Sequence, residues 1–90
     1  MNTLEMNEDI VAIGTTVVVS DLETKDTEEY TLVPPADADI AENRISTMTP
    51  LARAIYGRKS GDVVDVLAPG GTVRLRIESV RPQSTTDGFG

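Results

Sequence analysis

The stretch TPLARAIYGRKSGD, residues 49–62, encodes both ends of one helix within about two turns, and no other stretch constrains the fold so tightly. Thr49 is a good N-cap, because its hydroxyl can accept from a backbone N–H that has no partner inside the helix. Pro50 suits the first helical position, where a missing N–H loses no bond. Leu51, Ala54 and Ile55 fall at i, i+3 and i+4 and form one apolar stripe. Gly57 supplies a left-handed stop, and Arg58 and Lys59 follow where the helix dipole favours cations. A helix this short does not persist alone in water, so the rest of the chain must provide a surface for it to pack on.

That surface is encoded on both sides of the helix. Upstream, Thr15-Thr16-Val17-Val18-Val19 is β-branched throughout and lies between Gly14 and Asp21, which predicts a strand over residues 15–22. The polar run 23–27 reads as a hairpin loop, and residues 29–33 as a returning strand with Tyr30 and Leu32 toward the core. Pro34 and Pro35 end that strand, because proline cannot donate to a ladder and restricts the residue before it. Residues 36–43 are an acidic connection with a helical turn expected around 39–42, and residues 45–48 a brief extended segment leading into the helix. Downstream, Ser60-Gly61-Asp62 turns the chain into Val63-Val64-Asp65-Val66-Leu67, a third main strand, and Pro69-Gly70-Gly71 signals a hairpin. In the last strand Val73, Leu75 and Ile77 alternate with Arg74, Arg76 and Glu78, giving one core face and one charged face. Pro82 closes it. The expected fold class is α+β, a strongly twisted, mostly antiparallel β-sheet curling around one short α-helix. Residues 1–10 are expected to form a flexible leader, 11–81 the folded domain and 82–90 a disordered tail.

Composition limits the chemistry. A length of 90 residues makes one domain, near the lower end of what buries an adequate core unaided. Cysteine and histidine are both absent, which removes disulfide frameworks, thiol nucleophiles, histidine-based triads and the common zinc sites. No catalytic residue, cofactor site or metal ligand is singled out, and the chain is expected not to be an enzyme. No apolar run approaches the length of a membrane span, and no basic-then-apolar leader opens the chain, so a soluble, cytoplasmic protein is expected. The formal net charge of −7 is unevenly divided. Residues 1–43 hold eleven acids against Lys25 alone, a net −10, whereas residues 44–90 hold seven bases against four acids, a net +3. Phosphate contacts dominate nucleic-acid affinity, so so acidic a chain is expected to have a protein partner rather than a nucleic acid.

With these pieces in order, the sequence resembles the C-terminal domain of the bacterial transcript cleavage factors, the GreA/GreB family of transcription elongation factors. The residues that carry the resemblance are VAIGTTVVVSDLET, ADIAENRIS, TPLARAIYGRKSGDVVDV and APGGTVRLRIESV, together spanning roughly residues 11–81. The family's helix typically reads Ser-Pro, small or aliphatic residues and Gly-Lys, followed by a Gly-Asp turn and a Pro-Gly-Gly hairpin. Thr49-Pro50, Gly57, Gly61-Asp62 and Pro69-Gly70-Gly71 reproduce that order, with Thr in place of Ser.

The resemblance implies an FKBP-like fold of the Gre C-terminal type and a docking role. In the family this domain anchors the factor on a coiled coil of the RNA polymerase β′ subunit, at the rim of the secondary channel, through the loop before the helix and the helix start. Carried over by position, that surface is Ile45, Ser46, Met48, Thr49, Pro50 and Leu51. The competing reading of these residues is structural: Ile45 and Leu51 as core, Thr49 and Pro50 as a cap. Leu51 reads better as core, whereas Met48, an apolar loop residue directly before a polar cap, reads better as exposed. Family members often carry Asp or Asn in place of Met48.

A full Gre factor also begins with a long coiled coil whose acidic tip supports transcript cleavage, and 90 residues leave no space for it. Glu5, Glu8 and Asp9 read as a solvated acidic end. The expected function is therefore polymerase binding without cleavage, by a monomer that needs no cofactor. The alternatives are a polymerase binder like the regulator of nucleoside diphosphate kinase, or an FKBP-like interaction module with another partner. Prolyl isomerase activity is not expected, because Tyr30, Tyr56 and Phe89 are too few aromatics to line its pocket.

Overall fold

A computed structural model describes residues 10–82. Five strands, β1 (Thr15–Asp21), β2 (Thr27–Val33), β3 (Arg44–Ser46), β4 (Val63–Ala68) and β5 (Gly71–Pro82), and one helix, α1 (Pro50–Ile55), make an α+β fold. The strands form one sheet in the order β3-β2-β1-β5-β4. All neighbours are antiparallel except β2 and β3, which run parallel with Leu32 opposite Ile45.

The hairpin joining β1 to β2 is tighter than the sequence suggested, since β2 begins at Thr27. The Asp21 N–H donates to the Asp26 carbonyl at 2.8 Å, and Lys25 takes φ 71° so that its N–H reaches the Asp21 carbonyl at 2.7 Å. Past Val33 the prolines end the ladder as expected, and the acidic connection carries two 3-10 turns, Pro35–Asp37 and Ile40–Glu42. Asp39 caps the second by accepting from the Ala41 N–H at 3.1 Å. This connection returns the chain to the same edge, which lets the extended segment before the helix pair as β3 rather than remain a bare loop.

The core comprises Val11, Val17, Val19, Leu32, Ile45, Ala52, Ile55, Val64, Val66, Leu75, Ile77 and Val80. Leu32 is fully buried, and Tyr30 packs partly buried against this cluster, as their shared face requires. α1 packs against β4, burying Ile55 completely. Ala52 is equally buried, although Leu51 and Ala54 on the expected stripe are only partly so. The helix stops at Gly57, whose φ of 81° is the left-handed conformation that glycine adopts without penalty.

In β5 the alternation of Val73, Leu75 and Ile77 ends at a bulge. Val18 pairs with Ser79 but Val19 pairs with Ile77, so Glu78 is the extra residue. The phase shifts by one and Val80, not Ser79, is buried. The Ser20 hydroxyl donates to the Glu78 carboxylate there at 2.6 Å. Both ends of the described chain are held. Ile10 bridges to Lys59, the Val11 N–H donates to the Arg58 carbonyl at 2.8 Å, and Pro82 pairs with Thr15. The rest of the expected leader and tail, residues 1–9 and 83–90, with Glu5, Glu8, Asp9 and Phe89, lies outside the described residues.

Candidate docking surface

The loop between β3 and α1 is braced almost entirely by Ser46 and Thr49. The Ser46 hydroxyl accepts from the Met48 N–H at 2.9 Å, and its carbonyl accepts from the Thr49 N–H at 3.0 Å. The Thr49 hydroxyl donates to that same carbonyl at 2.9 Å and accepts from the Ala52 N–H at 3.2 Å. The Thr47 N–H donates to the Val33 carbonyl at 3.2 Å, tying the loop to the end of β2. The bonds of Ser46 and Thr49 are the local side-chain and turn bonds that Ser and Thr make before a helix. Together with the Thr47 bond they give the N–H groups of Thr47, Met48 and Thr49 each a partner.

The six residues expected to form one surface divide in this setting. Ile45 is 6% exposed and sits in the core, because its pairing with Leu32 turns it inward. Its side chain offers no contact surface and instead anchors the loop from beneath. Ser46 and Thr49 are partly buried and spend their polar groups on the loop itself. Met48 is 65% exposed and Pro50 is exposed, so the apolar groups offered to solvent come from these two. Leu51 is partly buried against the core.

Met48 and Pro50 do not stand alone. With Arg53, Ala54, Asp65, Val66 and Leu67 they line an open groove of about 400 Å³ between the helix start and β4. Leu67 is 76% exposed and was not singled out in the sequence. Four of the five residues in Val63-Val64-Asp65-Val66-Leu67 are apolar, which hides the strand's two faces. Asp65 was the available signal: at period two it shares its face with Val63 and Leu67, so that face points to solvent. The structure agrees, with Val64 and Val66 buried and Val63 and Leu67 exposed.

On the other side of Leu51 lies a second groove, of about 330 Å³, floored by Tyr30, Leu51 and Val73 and bordered by Asp21, Asp26 and Glu28. The Tyr30 phenol is pushed above its ordinary range, first by burial and second by the negative charge of Glu28. Among the described residues no group of three or more Asp or Glu side chains is placed to hold a metal ion, and no helix is long and apolar enough to cross a membrane.

Most of the chain is similar to known proteins. Residues 6–82 match the family described as "Transcription elongation factor, GreA/GreB, C-term". The chain is 44% identical over 73 residues to transcription elongation factor GreA of Streptococcus uberis, covering 81% of this chain and 46% of that protein. Among solved structures, Thermus aquaticus Gfh1 is similar with a TM-score of 0.77 at 28% identity, over 86% of this chain and 51% of that one. The transcription elongation factor GreA/GreB from Nitrosomonas europaea is similar with a TM-score of 0.71 at 29% identity, over 90% and 68% of the two chains. The chain spans about half the length of the curated relatives it matches.

Proposed function

We propose that this chain, which belongs to the family of GreA/GreB transcription elongation factor C-terminal domains, docks on bacterial RNA polymerase through the loop before α1. The partner is the β′ subunit coiled coil at the secondary-channel rim. The observation that supports this most is the loop geometry: four local hydrogen bonds of 2.9 to 3.2 Å around Ser46 and Thr49 brace the loop that carries the exposed Met48 and Pro50. A surface fixed before it meets its partner loses little entropy on binding, which is what a docking edge requires.

The 90 residues acting alone anchor without stimulating transcript cleavage, since the acidic tip that the family resemblance assigns to an N-terminal coiled coil is not among them. The domain performs no catalysis of its own, works as a monomer in the cytoplasm, and makes no direct contact with nucleic acid. Titration against purified polymerase core tests the docking surface. Met48→Ala should weaken binding about tenfold, as expected for truncating a desolvated contact, while the melting temperature stays unchanged. Undiminished binding by that variant would show that the contact lies elsewhere.

A further inference from the structure

The second groove, on the far side of Leu51, presents an arrangement that the docking loop does not use. Residues 28, 30 and 32 share one face of β2, and that face carries Leu32 into the core and Tyr30 to its margin. Glu28 therefore sits on the apolar face of its strand, opposite the buried Val19. Asp26 joins it at the groove's border, one of its oxygens accepting from the Thr24 hydroxyl at 3.1 Å. Asp21, also at the border, is occupied with the hairpin, accepting from the Glu23 and Thr24 N–H groups at 2.7 and 3.1 Å.

Elsewhere on the sheet, carboxylates meet arginines: Glu29 with Arg81, Asp65 with Arg74 and Glu78 with Arg76. Among the described residues no such partner reaches Asp26 or Glu28. An apolar floor bordered by unneutralised carboxylates complements a group that is itself apolar along its length and positive at its end. Lysine and arginine side chains have that form, because their methylene stems lie on apolar surface while the charge stays at the tip. A tyrosine ring at the floor adds attraction for a cation over its face.

We infer that this groove binds a basic segment of a protein partner, a lysine or arginine stem lying on Tyr30, Leu51 and Val73 and its charge meeting Asp26 and Glu28. The groove adjoins the docking loop at Leu51, so one partner can engage both, but the inference goes beyond that loop and does not require polymerase to be the partner.

The test is a titration of the isotope-labelled 90-residue chain, followed by amide and side-chain shifts, with the acetylated and amidated peptide Ala-Leu-Lys-Arg-Leu-Ala. A counterpart with glutamine at both basic positions serves as the neutral probe. The inference expects shift changes centred on Tyr30, Leu51 and Val73, and binding weaker by roughly two- to thirtyfold for the neutral peptide, the factor that two exposed charge pairs supply. Combined Asp26→Asn and Glu28→Gln should abolish the preference for the basic peptide. Combined Asp37→Asn and Glu42→Gln, which removes the same charge away from the groove, should preserve it. Equal binding of the two peptides, equal loss in both double variants, or no saturable shifts in the groove would each overturn the inference. Because no polymerase takes part, such a failure would leave the docking-loop proposal standing.

Discussion

Ser46 and Thr49 hold each other through one oxygen: the Ser46 carbonyl accepts from the Thr49 N–H at 3.0 Å and from the Thr49 hydroxyl at 2.9 Å. Because that hydroxyl also accepts from the Ala52 N–H, one side chain fixes both the loop and the helix start. Thr49→Val should cost about 1 kcal/mol, the usual loss on removing an N-cap, and should also weaken polymerase binding by loosening Met48. Thr49→Ser, the residue typical of the family, should restore both. Denaturant melts of the three proteins check this. A stable Thr49→Val would mean that the cap contributes little.

The alternation in β5 carries a second expectation. Leu75 is 9% exposed within the core, so Leu75→Ala should destabilise by roughly 2–5 kcal/mol, most of the stability of so small a domain. Arg76 is exposed and its contact with Glu78 is 3.9 Å long, so Arg76→Ala should stay within about 0.5 kcal/mol of the parent. Similar losses in the two variants would contradict the register.

What the sequence disclosed and what it withheld divide along the line between local and non-local causes. Thr49, Pro50 and Gly57 were legible because caps, first-turn prolines and left-handed stops act within a few residues. The alternation of Val73, Leu75 and Ile77 was legible for the same reason. Val80 was not, because its burial depends on a bulge created by the pairing of β5 with β1. Nor was the parallel pairing of β3, whose three residues contain a single apolar side chain and whose partner lies beyond a ten-residue connection. Of the candidate surface, the loop and the exposure of Met48 were readable. The exposure of Leu67 was signalled by Asp65 two residues before it, and the choice between core and surface for Ile45 was decided by its pairing with Leu32.

The Tyr30 phenol offers a pH-dependent readout. Burial and, secondarily, Glu28 raise its pKa above the ordinary 10.0. The native state thus favours the neutral phenol, and the unfolded chain loses its proton first as pH rises past about 10. The associated stability is present below that pH and is lost as pH climbs through the folded-state value. Glu28→Gln should lower the Tyr30 midpoint in an ultraviolet titration, with Tyr30→Phe identifying its share of the signal. An unchanged midpoint would show that the Glu28 charge is not felt at the ring.

Resemblance to prolyl isomerases should not extend to activity. Tyr30 is the single aromatic residue lining the groove beside Leu51, too few to shelter a twisting prolyl bond. A model-peptide assay should give the uncatalysed rate. Acceleration in proportion to protein concentration would contradict a purely binding role.

The central claim is that the domain shares the docking site of full-length Gre factors and brings no cleavage chemistry of its own. Its most direct test is transcript cleavage by a backtracked polymerase complex with a fixed amount of a full-length Gre factor, while this 90-residue chain is titrated in. The account predicts that cleavage falls progressively toward the factor-free rate, that Met48→Ala shifts the inhibition to about tenfold higher concentration, and that the chain alone leaves cleavage at the factor-free rate. Cleavage that is unchanged at saturating domain, or that is faster with the domain alone, would contradict it.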